Sequence, residues 1–356
     1  MMMSLLRKIR EQLYWNDPSY RIPFILFICM LLVVAVVVFC FAVNSYSETE
    51  PDTVLIYCFS AMEDVMEEAI LPAFQNYWYE NTGQKVKFIT TYSGSGLISS
   101  RTILRFKAQI IILASVVDAY QLSLTKIVTH NIWENLPEGG KLCYTPIILY
   151  SKKELGVSEI ALEDLDFAEL NIMITDPVSS GAGQWALLAL YGSLLRSGAT
   201  ELEATTYLTE VLDNVMISSL NAKAAFVDFA NSNADLLLTY EAFGSSAHSG
   251  GQQSALSVYP IRTIMAEPVV VPVSRNIWDK EQPLLDSFIQ YLWSWEAQTL
   301  LMDYGFRVHY EDFQNNIRQI DSQDIFRSDS LGDPQILLEK IIDPLNHLNL
   351  KQFSAQ

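Results

Sequence analysis

From Thr53 onward the chain alternates short β-rich runs with longer helix-patterned ones, and this alternation restricts its possible folds more than any other feature. Thr53–Phe59 reads as a strand, Glu63–Asn81 as a helix, Val86–Thr91 as a strand, Gly96–Phe106 as a helix and Gln109–Ala114 as a strand. The helix over 63–81 rests on Val65, Ile70, Ala73, Phe74, Tyr77 and Trp78, which fall at helical spacing. Strands separated by helices of this length pair in parallel and are covered by the helices. A second set of the same kind runs from Leu170 to Ile264, between the β-rich runs Tyr144–Tyr150 and Val269–Val273. Two such sets joined by two chain crossings predict an α/β clamshell of two lobes with a cleft between them.

Two of the strand-to-helix junctions are built from serine and glycine. Ile172-Met173-Ile174 ends at the Pro177 turn, Ser179-Ser180-Gly181-Ala182-Gly183 comes next, and a helix begins near Gln184. Upstream, Phe88-Ile89-Thr90-Thr91 leads into Tyr92-Ser93-Gly94-Ser95-Gly96 and another helical run. Small residues leave the free N–H groups of a helix start approachable, and the helix dipole adds partial positive charge there. Such an end receives anions, so two of them in one chain suggest an anion gripped from two sides. Taken singly, each junction also reads as a turn or an N-cap.

The chain has 356 residues, half of them hydrophobic, and a formal net charge of −18. Pro23 to Val43 is uncharged and almost wholly apolar. At about 1.5 Å per residue it can cross a hydrocarbon core of about 30 Å. Arg7, Lys8, Arg10 and Arg21 precede it, which places residues 1–22 in the cytoplasm and exports the rest. A cleaved signal peptide is the rival reading, although its apolar region is normally shorter; lipid attachment at Cys40 is a further alternative. Residues 1–22 carry four basic and two acidic residues, a net +2, and the apolar run carries none, so −18 less +2 leaves −20 on residues 44–356. That charge argues against nucleic acid or an acidic membrane surface as partner. A small anion remains compatible, because short hydrogen bonds outweigh charges screened beyond about 8–10 Å. Cys58 and Cys143 could pair in an oxidising compartment, but their apolar surroundings favour buried free thiols.

The blocks downstream of the apolar run, in their order, resemble the sulfate/thiosulfate-binding proteins of ABC uptake systems. Phe74, Tyr77-Trp78 and Thr82-Gly83-Gln84, then Ser93-Gly94-Ser95-Gly96, are similar to that family's F…W…TG…GGSG block. Asp176-Pro177-Val178-Ser179-Ser180-Gly181-Ala182-Gly183-Gln184-Trp185 is similar to its NPKSSGGARW, and Ala234 to Glu241 to its GDVLIAWE. Tyr259-Pro260 with Ile264 to Pro268, and Tyr291 to Gln298, are similar to its YP…ILAEP and YLYSPEGQ.

The resemblance covers about residues 53–345 and implies a type II periplasmic-binding-protein-like fold preceded here by one transmembrane helix. The organisation it suggests is a cytoplasmic segment 1–22, an anchor 23–43, a linker 44–52, lobe I from 53–143 plus 268–345, lobe II from 144–267 and a tail 346–356. The family holds a dehydrated dianion through backbone N–H groups and a few side chains, without a countercharge. Carried over, its binding positions are Ser95, with Gly96 beside it, on one lobe and Ser180, Gly181 and Ala182 on the other. Tyr240 stands where the family uses a tryptophan N–H; its hydroxyl can donate in the same way. Ala61 replaces an aspartate after the first strand, and Ser218-Ser219-Leu220-Asn221-Ala222 replaces SGARG, so the resemblance implies Ala61 and Ser219 as the remaining ligand-binding positions, on a rewritten wall. Leu97 replaces a lysine.

The expected partners are thus a small oxyanion, sulfate or thiosulfate first, an ABC permease, and the membrane through the anchor; no cofactor and no metal is expected. An anchored sensor, scaffold or assembly subunit with altered or lost binding is the alternative function. Catalysis finds little support: the four histidines lack metal-ligand spacing, and GxSxG and the P-loop pattern are both absent from the sequence.

Overall fold

The computed structural model describes residues 26–38, 51–99, 107–152, 159–165, 169–218, 221–244, 255–309 and 324–343. Two compact units are distinguished, Met1–Pro51 and Asp52–Gln356. In the first, residues 26–38 form a helix whose apolar side chains are exposed. At about 1.5 Å per residue it is roughly 20 Å long, and among the described residues no helix is long and apolar enough to cross a membrane. The expected anchor 23–43 extends past this helix at both ends, into residues outside the described set, as do the segments 1–22 and 346–356.

The second unit carries two sheets. Strands β1 (Asp52–Phe59), β2 (Val86–Ser93), β3 (Ile110–Leu113) and β11 (Val269–Pro272) form the first, in the order β11-β3-β1-β2. β1 pairs in parallel with β2 and β3, while β11 returns antiparallel to β3. The second sheet contains β4 (Thr145–Ser151), β6 (Ile172–Thr175), β7 (Met216–Ser218), β8 (Leu236–Tyr240), β10 (Arg262–Ala266) and β12 (Asp324–Phe326), in the order β12-β10-β4-β8-β6-β7. β5 (Glu159–Ile160) and β9 (Leu256–Pro260) add a flap beside β4. β3, β4 and β8 are buried along their whole length, as expected of unbroken apolar runs covered on both faces.

Helical turns run from Ser60 into α1 (Leu71–Thr82), which ends at Gly83 in a left-handed conformation. α2 (Ser95–Ser99) and α3 (Val116–Leu124) come after β2 and β3; the rest of the helix expected over 96–106 lies outside the described residues. α4 (Gly181–Ser197) packs in the second unit with its first thirteen residues buried. α5 (Glu201–Asn214), opened by a Thr200/Glu203 capping box, and α6 (Ala222–Asn231) complete this half; α7 (Gln282–Leu292) and α8 (Trp295–Asp303) pack on the first.

One strand departs from the expected layout. Residues 268–345 are expected with the first sheet, yet β12 pairs in parallel with β10 of the second. Phe326 is received by Gly192 of α4, where a Cβ would lie 2.2 Å from its ring, and Asp324 pairs with Arg196 at 2.6 Å. Both ties are made to α4, a helix distant in sequence, so the polar stretch around β12 gives no local sign of them. Cys58 and Cys143 are free and fully buried, as their apolar surroundings suggest.

The crossings between the sheets are braced by charge. Lys141 and Arg327 both reach Glu267 Oε1, at 3.0 and 2.8 Å, and Glu267 is 1% exposed. The Leu142 N–H donates to the Pro268 carbonyl at 2.8 Å, tying the two crossing segments together. Glu267 therefore belongs to the crossing.

Candidate functional site

Parallel strands end on the same edge of a sheet, so the turns at their carboxyl ends gather there; in open α/β sheets that is where crevices form. In the first sheet β1, β2 and β3 deliver Phe59, Ser93-Gly94-Ser95 and Ala114-Ser115 to one edge. In the second, β6 and β8 deliver the 176–180 turn and Tyr240. These two edges meet.

Asp176 shapes the second-sheet side. Its carboxylate accepts from Val178 N at 3.0 Å and from Ser179 Oγ at 2.8 Å, and its carbonyl accepts from Ser180 N at 2.9 Å. Ser180 then caps α4, its Oγ accepting from the Ala182 N–H at 3.3 Å. Ser180, Gly181 and Ala182 are all buried.

The first-sheet side comes so close that only glycine fits. A Cβ on Gly181 would lie 2.2 Å from Ala114 Cβ, 3.2 Å from Ser95 Cβ and 3.4 Å from the Tyr240 hydroxyl. A Cβ on Gly96 would lie 2.4 Å from the Val178 carbonyl oxygen. Leu97 N–H reaches the Ser179 carbonyl at 3.3 Å, Trp185 Nε1 donates to the Ala114 carbonyl at 2.9 Å, and the rings of Phe59 and Tyr240 meet edge to face at 6.3 Å. Lys223 of α6 adds an ion pair to Asp64 at 2.6 Å and Glu63 at 3.2 Å, in the helical turns after β1.

Six of the residues expected from sequence are thus brought together: Ser95, Gly96, Ser180, Gly181, Ala182 and Tyr240. Ala61 lies buried in the turn after β1. Ser219 lies outside the described residues. Ser95 differs from expectation in one respect: its hydroxyl donates to Asp118 Oδ2 at 2.6 Å and accepts from Ala114 N at 2.9 Å. Its proton is spent inside the protein, which leaves the backbone amides of the 95–96 turn as the groups this segment can offer a ligand.

Asp118 is a residue that sequence reasoning misses. It is 1% exposed, and its Oδ2 also receives Ser115 Oγ at 3.2 Å. Burial pushes its carboxyl up to about 6, although the hydrogen bonds of Ser95, Ser115, Gln184 and Ser99 favour the ionised form. The Tyr240 phenol is held well above its ordinary range by burial first and by the Asp118 charge second. Asp118 Oδ1, Gln184 Oε1 and the Tyr240 hydroxyl are buried without a hydrogen-bond partner among the described residues. A visible signal did exist: Ile110–Leu113, then Ala114-Ser115, is a third strand–serine–helix junction, with Ser115 capping α3 through the Asp118 N–H at 3.1 Å.

Chemically, the site offers the amides of a long helix start, the Ser180 hydroxyl, a buried phenol, and the amides of a second turn. Among the described residues no cluster of histidine, cysteine, aspartate and glutamate could hold a metal.

Comparison with known proteins gives concordant matches. The model of the family described as bacterial extracellular solute-binding protein matches residues 54–307. A sulfate-binding protein of Synechococcus elongatus is 27% identical over 247 residues, covering 69% of this chain and 71% of that one. A thiosulfate-binding protein of Pseudomonas aeruginosa is 24% identical over 246 residues, covering 68% and 74%. Among solved structures, the sulfate-binding protein SubI of Mycobacterium tuberculosis superposes with a TM-score of 0.69 at 19% identity, over 80% of this chain and 98% of that one.

Proposed function

The chain belongs to the bacterial extracellular solute-binding protein family, a family of binders and not of enzymes, and on that premise we propose that it binds a tetrahedral oxyanion between its two halves for ABC-type uptake. Sulfate and thiosulfate, the ligands named in its relatives, are the leading guests. The observation that carries this reading is the start of α4, where Ser180-Gly181-Ala182 meets a buried Tyr240 hydroxyl that has no partner among the described residues, beside the Ser95-Gly96 turn. Charge-assisted hydrogen bonds of about 1.5–3 kcal/mol each offset desolvation of a small oxyanion when nearly all its oxygens are served. The mechanism is hinge closure, in which the ligand binds the closed arrangement more tightly than the open one. The crossings braced by Glu267 form the hinge, in a division of 53–143 plus 268–345 against 144–267 with β12 returned to the second half.

We further propose a membrane tether through 23–43, with the remainder outside the cytoplasmic membrane. Its support is the uncharged length of that run and the basic residues before it. Alkaline extraction of membranes that released the whole chain, or an amino terminus mapped near Asn44, would refute the tether. Calorimetric titration of the full chain in detergent with sulfate, thiosulfate, molybdate and phosphate tests the binding function. Heat from none of them at millimolar concentration would refute it. One contact favours a second reading, an anchored sensor or assembly subunit that has lost its ligand: the Leu97 N–H reaches the Ser179 carbonyl, protein serving protein across the site. Recovery of the chain in a membrane complex without a permease, together with no anion binding, would establish that reading.

A further inference from the structure

Asp118 sets a condition on the ligand. A carboxylate that is ionised only accepts hydrogen bonds, and sulfate and thiosulfate also only accept. Asp118 is 1% exposed, one hydrogen bond from Ser95, whose Cβ lies against Gly181. The groups that face it are the hydroxyls of Ser95 and Ser99 from α2, Ser115 at the start of α3, and the Gln184 amide from α4. The titratable group coupled to it is the Tyr240 phenol from β8. Among the described residues no lysine, arginine or histidine comes within ion-pair distance of it. Among the described residues Asp118 Oδ1 and Gln184 Oε1, both acceptors, and the Tyr240 hydroxyl are buried here without a partner. Turning the Gln184 amide exchanges an acceptor for a donor; no rotation does that for a carboxylate. A dianion placed against this edge meets a buried carboxylate of its own sign that is served by hydroxyls and an amide and, among the described residues, by no cation, and like charges at close range in a dry site do not both stay ionised.

Resting on the oxyanion reading above, we propose that the site binds each oxyanion dianion together with one proton, held by Asp118 or brought by the ligand itself, so that Asp118 is the residue that selects for protonation. With sulfate the proton enters on Asp118, which then donates through Oδ1, the oxygen left without a partner among the described residues. With hydrogen phosphate the ligand's own hydroxyl donates to the carboxylate.

The test is calorimetric titration of the full chain with sulfate in buffers of different ionisation enthalpy, at pH about 8, where Asp118 in the free protein is ionised. The expected uptake is about one proton per sulfate bound, with affinity falling up to about tenfold per pH unit on the alkaline side. Asp118→Asn keeps an oxygen for Ser95 and removes the charge; it binds sulfate with no uptake, independently of pH, and at pH about 8 more tightly than the parent chain. Should that variant not fold, the unaltered chain still decides: hydrogen phosphate binds with no proton taken from buffer while sulfate takes one. Sulfate binding without uptake, or identical pH dependence in parent and Asp118→Asn, overturns the inference and leaves the oxyanion site standing. Absence of binding by either anion at every pH overturns the oxyanion reading, and the inference falls with it.

Discussion

Gly181→Ala puts the closeness of the two halves to a quantitative test. The added methyl would start 2.2 Å from Ala114 Cβ, whereas carbon atoms in contact rest about 3.5–4.0 Å apart. The shortfall is thus about 1.5 Å, too much for a side-chain rotation to absorb, because alanine has none. Ala114 cannot retreat freely: its carbonyl accepts from Trp185 and its N–H is held by Ser95 Oγ. Overpacking on this scale costs about 1–3 kcal/mol. Gly181 does not have positive φ, so none of that cost is backbone strain.

The cheapest relief is to part the start of α4 from the end of β3, which is the opening motion itself. If anion binding requires closure, affinity falls by the same amount, roughly 5- to 150-fold at about 1.4 kcal/mol per tenfold. Gly96→Ala makes the same demand from the opposite side, with its methyl 2.4 Å from the Val178 carbonyl oxygen. The double variant is then less damaged than the sum of the two, since one parting relieves both clashes. The assay is calorimetric titration with sulfate, paired with thermal unfolding of the ligand-free chain. A Gly181→Ala protein with parental affinity and melting temperature would refute the contact, and strictly additive losses would refute the shared motion.

Other consequences can be measured directly. Asp118 sits at about 6 against an ordinary 3.8, so between those values the folded chain holds more protons than the unfolded one. Its contribution to stability is therefore lost as pH rises through that window, by about 3 kcal/mol in total, and the difference between parent and Asp118→Asn in urea unfolding from pH about 4 to 7 reads it; a constant difference would refute the burial. Glu267→Ala strands Lys141 and Arg327 at the crossings. Since Arg327 is 48% exposed and Lys141 22%, the loss is discounted to about 2 kcal/mol, seen as a lower melting temperature. Burial pushes both the Cys58 and Cys143 thiols well up, so neither reacts with an alkylating reagent in the folded chain and both react in denaturant.

The sequence was informative wherever local pattern and tertiary placement agree. Runs such as Ile110–Leu113 and Leu236–Tyr240 are apolar on both faces and become strands buried on both faces. The Ser180 cap and the glycines at 96 and 181 were readable because a serine–glycine junction has few other uses when it occurs twice. The Ser115 junction was readable but the burial of Asp118 was not, since an aspartate three residues after a capping serine is an ordinary helix start. Only the docking of α2 and α4 around it turns it from a surface acid into a buried one. β12 escaped for a related reason: Asp324 and Phe326 find their partners on α4, at Arg196 and Gly192. The amphipathic pattern of three residues carries no such information.

In the proposed reading, the close glycine contacts and the acid beside them belong to one design. The glycines at 96 and 181 let two backbones approach closely, and in the proposed site that closeness would exclude water and so give a few neutral donors the strength to hold an anion without a cation. The same exclusion makes a carboxylate at Asp118 costly and raises it to about 6. A looser cleft would tolerate the ionised acid and grip the anion weakly. A tighter one raises affinity for the anion and the demand for its proton together. Gly181→Ala, by parting the halves and admitting water, should therefore weaken sulfate binding and also reduce the proton uptake that accompanies it. A variant that lost affinity while keeping full uptake would separate the two effects and place the origin of the raised Asp118 outside the closure.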